Sequence, residues 1–229
     1  MTPRVVVLSA PSGGGKTTIA NRLRSQRPAE FDCSISATTR EPRPGEREGQ
    51  AYFFLSRDEF ARRRDAGEFL EWAEYAGHWY GTLRSEVERI RGGGRHVLLD
   101  IDVQGARQVR QVYPFPQSVA LFVVPPTPRV LIERLRTRRT ESPAQVGARL
   151  EIAVREVQVA LRDAARGAVF DHVVVNDELE QVVDEVAHLA ANPSVDRERT
   201  QAATRMLEAF VHELQSEGDR LRQSSQRSV

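Results

Sequence analysis

Ala10-Pro11-Ser12-Gly13-Gly14-Gly15-Lys16-Thr17 packs three consecutive glycines, an ammonium group and two hydroxyls into eight residues. These types at this spacing suit a polyphosphate. A glycine-rich backbone turns its N–H groups toward phosphate oxygens, and a helix starting behind it adds the positive end of its dipole. Lys16 is placed to reach β and γ phosphates and the Thr17 hydroxyl to ligate Mg²⁺. Ala10 stands where the strict pattern has its first glycine, while the glycines nearest the phosphates are kept. The competing reading is a glycine-rich turn that binds nothing. Taken alone, the loop specifies a nucleoside triphosphate and no more. Lys16 is also the only lysine, the other 32 basic residues being arginine. Compositional bias accounts for the arginines. The one lysine sits where a compact ammonium suits a phosphate cradle.

Further along come Ser34-Ile35-Ser36-Ala37-Thr38-Thr39-Arg40-Glu41-Pro42-Arg43-Pro44-Gly45-Glu46 and Gly49-Gln50-Ala51-Tyr52-Phe53-Phe54. Phe69-Leu70-Glu71-Trp72-Ala73, Tyr80-Gly81-Thr82, Asp100-Ile101-Asp102-Val103-Gln104-Gly105 and Val175-Asn176-Asp177 follow. In this order, after the phosphate loop, the segments resemble the guanylate kinase family from about residue 4 to residue 190. The resemblance implies an α/β fold: a P-loop kinase core with a parallel sheet flanked by helices, an inserted GMP-binding subdomain and a lid. It implies the reaction ATP + GMP → ADP + GDP, by in-line transfer with Mg²⁺ and with dGMP as a further acceptor. Ser12, Gly13, Gly14, Gly15, Lys16, Thr17, Thr18 and Asn176 would hold ATP, Asn176 near the adenine. Ser36, Arg40, Arg43, Tyr52, Glu71, Tyr80, Gly81, Thr82 and Asp102 would hold GMP.

The chemistry of these residue types agrees. Guanine shows an acceptor at O6 and donors at N1 and N2. A carboxylate can accept from both donors at once, and Glu71 is the residue that the resemblance places there; the Ser36 hydroxyl can donate to O6. Thr82 and Asp102 are family positions beside the base. Adenine lacks both donors and would leave Glu71 desolvated and unpaired, so a site of this kind rejects it by orders of magnitude. Arg40 and Arg43 offer planar forks to phosphate oxygens, and Tyr52 and Tyr80 one hydrogen bond each. An ordinary charged turn around Pro42 and Pro44, with two core tyrosines, is the plainer alternative.

Pro126 to Arg149 holds six arginines against two acids. It reads as a mobile basic flap and resembles the family's lid. The resemblance gives catalytic roles to Arg134, Arg138 and Arg149, beside Lys16 and Arg43, because guanidinium groups stabilise charge on the transferring phosphoryl. Thr137 and Arg139 stand where the family often has glycines, which leaves the choice between Arg138 and Arg139 open; a solvated helix face is the other reading of the cluster. Asp100 ends an apolar strand as a Walker B aspartate does, and is expected to hold Mg²⁺ through water. An acceptor phosphate oxygen is already ionised, so no general base is needed and His78, His96 and His172 receive no catalytic role.

Elements must position these groups. Arg4–Ser9, His96–Ile101, Val119–Val124 and His172–Val175 read as buried strands. Thr18–Arg24, Ser85–Arg91, Gly105–Val112 and Ala148–Ala164 read as helices between them, an alternation that argues for a parallel sheet covered on both faces. The expected division is core with phosphate loop over 1–37, GMP-binding subdomain over 38–83 and core over 84–125. Lid and following helix take 126–165, core 166–192, and a partly disordered helical extension 193–229. In that extension Ala203, Met206, Leu207, Phe210, Val211 and Leu214 form one helical stripe. Its partner is the chain's own core or a second copy, and the reading leans toward a homo-oligomer.

The chain has 229 residues and a formal net charge of +1. That balance gives no argument for nucleic acid or membrane partners. One cysteine, Cys33, forms no internal disulfide, no apolar run reaches membrane-spanning length, and cytoplasm is the expected location. Two rival functions remain. One is another small-molecule kinase on the same scaffold, such as a ribose 1,5-bisphosphate phosphokinase, against which Ser36 and Glu71 argue. The other is a non-catalytic guanylate-kinase-like module that binds phosphopeptides, against which Lys16 and Thr17 argue.

Overall fold

A computed structural model describes residues 2–136, 143–166, 169–194 and 197–226. Strand β1 (Val5–Ser9) leads through the glycine loop into helix α1 (Lys16–Gln26). Then come β2 (Phe31–Cys33), β3 (Ser36–Thr38), β4 (Phe53–Phe54), α2 (Arg57–Asp65), β5 (Phe69–Tyr75) and β6 (His78–Leu83). They are followed by α3 (Arg84–Gly92), β7 (His96–Asp100), α4 (Val103–Val112), β8 (Ser118–Val124) and α5 (Pro128–Arg136). Helix α6 (Pro143–Arg166), β9 (His172–Val175), α7 (Leu179–Ala191) and α8 (Arg197–Gln226) complete the order.

Two compact units share the chain, one of Met1–Val7 with Ala20–Val119, the other of Leu8–Ile19 with Ala120–Val229. The first holds strands in the order β2-β7-β1, with β2 and β7 parallel and Phe31 opposite His96. It also holds a four-stranded sheet in the order β4-β3-β6-β5, in which β6 runs antiparallel to both β3 and β5. Ala37, Phe60, Phe69 and Leu83 form the core beneath this second sheet, with Trp72 and Trp79 packed on it. In the second unit β8 and β9 pair in parallel, with Leu121 opposite His172. All seven residues of β8 are buried, as a central strand covered on both faces requires.

The strands read from the sequence are present with ends shifted by a residue or so. The insertion is more regular than its turn-rich composition suggests. It is a mixed sheet, with β3 parallel to β4 and antiparallel to β6, whose strand β3 begins at Ser36. The basic flap is helical where it is described, as α5 and the start of α6. Thr137, Arg138 and Arg139 lie outside the described residues.

The stripe of the tail finds a partner within the chain. Leu207, Phe210, Val211 and Leu214 are buried, and α8 packs along α6 with further contacts to β9 and α5. The apolar stripe is therefore covered by this chain's own helix. The stripe that motivated a homo-oligomer is packed along α6.

Candidate functional site

The residues that the resemblance assigns to the acceptor lie largely on the four-stranded sheet of the first unit. Its register sets Ser36 opposite Thr82 on the neighbouring strand, and Thr82 opposite Glu71 on the next. Residues directly opposite one another point to the same face. One row across three strands thus presents two hydroxyls and a carboxylate. Glu71 follows a register shift between Phe69 and Glu71 in β5, the kind of irregularity that re-aims a side chain. Its carboxylate is only 4% exposed, and the Thr82 hydroxyl donates to its Oε1 at 2.6 Å. Burial, opposed by the Thr82 bond and reinforced by the nearby Asp102 charge, pushes Glu71 up to about 7.

Helix α4 supplies the other wall. Asp102 caps it, accepting the Gly105 N–H at 2.8 Å, so one oxygen of this expected base-binding residue is engaged by the helix. Gly105 has a role the sequence did not reveal. A Cβ there would lie 2.5 Å from Glu71 Oε2, so only glycine leaves room for the buried carboxylate. Gln108, also missed, clamps α4 to β5 by accepting the Trp72 N–H at 3.2 Å and donating to the Trp72 carbonyl at 2.8 Å. The spacing of Asp102, Gly105 and Gln108 along one helix face was the available signal.

The residues that the resemblance assigns to the acceptor phosphate lie in the same unit. The Arg40 guanidinium grips Glu46 through both carboxylate oxygens, at 2.9 and 3.0 Å. Glu46 also accepts the Arg43 N–H at 2.7 Å. This pairing raises the Arg40 pKa and lowers that of Glu46, the hydrogen bond being the leading cause in both. The Arg40 guanidinium stands 5.4 Å from the Tyr52 ring centre, and the Tyr52 and Tyr80 rings meet edge to face at 6.1 Å. Burial, then the charge of Asp100, raises the Tyr52 pKa. The structure thus brings Arg40, Tyr52 and Tyr80 together, while the Arg43 side chain is exposed. Gly81 lies between the two binding rows on β6, where a Cβ would meet the Glu71 carbonyl at 2.9 Å.

The phosphate loop belongs to the second unit. Gly14 N–H donates to the Pro11 carbonyl at 2.8 Å, closing the first turn. A Cβ on Gly14 would stand 2.6 Å from the Ala10 methyl, so the alanine in place of the pattern's first glycine fits because Gly14 has no side chain. Gly15, at φ +94, adopts a conformation that glycine favours. Asn176 follows β9 and is buried, its Nδ2 donating to the Gly14 carbonyl at 2.9 Å. It is a brace under the loop, and that bond engages the amide the sequence assigned to the adenine. Arg134 on α5 reaches over Gly15, where a Cβ would come within 3.7 Å of its Nη1. Arg149 on α6 donates to Ser12 Oγ at 2.9 Å. Thr17 and Thr18 are exposed at the start of α1 and Lys16 is half-buried. The other expected lid residue, Arg138, lies outside the described residues.

His96 is wholly buried, with its Nδ1 accepting the Arg4 N–H at 3.0 Å. Burial, then the Arg4 charge, pushes it down to about 4, a neutral structural imidazole. Burial likewise pushes the Cys33 thiol up to about 11, which keeps it protonated and unreactive. Among the described residues no helix is long and apolar enough to cross a membrane.

A chain with a buried carboxylate beside two hydroxyls, a guanidinium–tyrosine cluster and a glycine loop flanked by Arg134 and Arg149 is similar to known proteins. The family model described as guanylate kinase matches residues 2–192. A guanylate kinase of Synechocystis sp. is 45% identical over 186 residues, covering 81% of this chain and 92% of that protein. One from Bacillus subtilis is 41% identical over 195 residues, covering 85% and 91%. The crystal structure of guanylate kinase from Anaplasma phagocytophilum superposes with a TM-score of 0.64 at 31% identity, covering 86% of this chain and 89% of that one.

Proposed function

The chain belongs to the guanylate kinase family, and on that premise we propose that it transfers the γ-phosphoryl group of ATP to GMP, with dGMP as a second acceptor. The observation that carries the acceptor is the row Ser36–Thr82–Glu71 with its buried carboxylate. Glu71 accepts from guanine N1 and N2 and the Ser36 hydroxyl donates to O6. The Thr82 hydroxyl holds one Glu71 oxygen in place. Adenine offers no N1 or N2 donor, and an unpaired buried carboxylate costs enough to exclude it.

Arg40, Arg43, Tyr52 and Tyr80 bind the acceptor phosphate. Glu46 holds Arg40 in line with that task, so little side-chain ordering remains when GMP arrives. Loop amides and Lys16 hold the β and γ phosphates. Arg134 and Arg149 stabilise charge on the transferring group, and Arg138 joins them in the lid. The attacking phosphate oxygen is ionised, so no side chain has to take a proton.

Thr17 and Asp100 are the residues that would hold Mg²⁺, Asp100 through water. Both are exposed, and one hydroxyl with one carboxylate suits an ion that takes most of its ligands from phosphates and water. If bound there, Mg²⁺ would supply positive charge that neutralises the phosphates. We expect the enzyme in the cytoplasm, with neither nucleic acid nor membrane as partner.

A coupled assay offering GMP, dGMP, AMP and UMP with ATP and Mg²⁺ tests the reading. GMP is expected to exceed AMP in kcat/KM by at least about a thousandfold. Comparable values for the two would sink the guanine assignment.

A further inference from the structure

We propose that Glu156 is a positioning residue for ATP, fixing the first turn of the phosphate loop to helix α6. The inference rests on the loop being the ATP site. Ser12 opens that turn, and α6 engages it twice. The Ser12 N–H donates to Glu156 Oε2 at 3.1 Å, and Arg149 Nη2 donates to Ser12 Oγ at 2.9 Å. Arg149 and Glu156 are seven residues apart, two helical turns, so they share one face of α6.

The loop is thereby held on both sides of its turn. Asn176 takes the Gly14 carbonyl, the Pro11 carbonyl takes the Gly14 N–H, and Glu156 takes the Ser12 N–H. Amides that cradle phosphates act through their fixed orientation, and small misplacements lose much of the effect. A carboxylate beside a triphosphate site has two physical meanings. It is an anchor that orients the peptide, or it stands where an anion will bind and must be displaced. Three features favour the anchor. Glu156 is half-buried on a helix. It accepts a charge-assisted bond from an amide at the start of the turn, ahead of Gly15 and Lys16. Arg149, on the same helix face, supplies a compensating positive charge to Ser12.

Steady-state kinetics on full-length Glu156→Ala, Glu156→Gln and Lys16→Ala test this, with ATP varied at saturating GMP and then the reverse. Glu156→Ala is expected to raise KM for ATP about tenfold, from loss of one charge-assisted bond. KM for GMP should stay within about twofold and the thermal midpoint near that of the parent. Glu156→Gln should recover most of the loss, because its amide oxygen still accepts from the Ser12 N–H. A lower KM for ATP in Glu156→Ala would mean that the carboxylate competes with phosphate, and would overturn the anchor. So would parallel rises in both KM values with a lowered midpoint, which mark a merely structural role. Lys16→Ala separates the two levels. Retained turnover there sinks the loop reading and the anchor with it, whereas a dead Lys16→Ala beside an unchanged KM for ATP in Glu156→Ala sinks the anchor alone.

Discussion

Glu71 joins two demands that conflict. Selecting guanine needs an ionised carboxylate, yet the burial that makes it selective pushes it up to about 7. In the empty protein the folded form holds this proton more tightly than the unfolded chain does. Its effect on stability is therefore most favourable at low pH and is lost as pH rises through about 7. GMP binding has the opposite dependence, since below about 7 Glu71 must first release its proton. kcat/KM for GMP is thus expected to be level above about pH 7 and to fall about tenfold per pH unit below it. KM for ATP should not share that limb, and a flat GMP profile from pH 5.5 to 8 would refute the assignment. Gly105 makes a second test at this scale. Gly105→Ala favours helix formation by about 1 kcal/mol but sets a methyl 2.5 Å from Glu71 Oε2. Expected are a KM for GMP raised at least about tenfold, an unchanged KM for ATP and a thermal midpoint near the parent's, read from kinetics and a melt. Ser36, Glu71 and Thr82 were legible in the sequence through the family resemblance, and the strand register sets them in one row. Gly105 was not, since its contribution is a missing atom beside a residue on another element.

Helix α5 positions Arg134 above Gly15, where in the proposed reaction its charge would act on the ATP phosphates and the phosphoryl group in transit. Arg134→Ala is accordingly expected to lower kcat by about two orders of magnitude or more while KM for GMP moves less than about threefold. The reverse split would assign the residue to the acceptor site. Elements that announce themselves are those buried on both faces: β1, β7, β8 and β9 are near-continuous apolar runs. Strands β3 to β6 hide because they are only partly buried, and aromatic, charged and small residues interrupt any continuous apolar run in β5 and β6. Helix α2 hides for a related reason. Phe60 is its one buried residue, so there is no stripe to read. Its signal was Ser56, whose side chain accepts the Glu59 N–H, with Glu59 three residues on in a capping-box arrangement.

On the scale of the whole molecule, the family match ends at residue 192 and a 30-residue helix follows it. An amphipathic stripe establishes that a partner surface exists but not whose it is, which is why the sequence left a second copy open. The partner is α6, the helix that carries Arg149 and Glu156 toward Ser12. The tail thus backs the element that holds the phosphate loop, and damage to it should appear on the ATP side first. Leu207 is fully buried in this contact. Leu207→Ala removes its transfer energy and leaves a cavity, costing about 2–4 kcal/mol, which for a chain of this size lowers the melting midpoint by about 5–15 °C. The variant at 25 °C should keep its KM for GMP, show a raised KM for ATP and scatter light with the parent's mass. Truncation after Pro193 should go further in the same direction, because it exposes the α6 face that Phe210, Val211 and Leu214 cover together with Leu207. A parent of dimer mass that becomes monomeric in Leu207→Ala would restore the second copy as the stripe's partner. An unshifted midpoint would show that α8 adds nothing to the stability of the core.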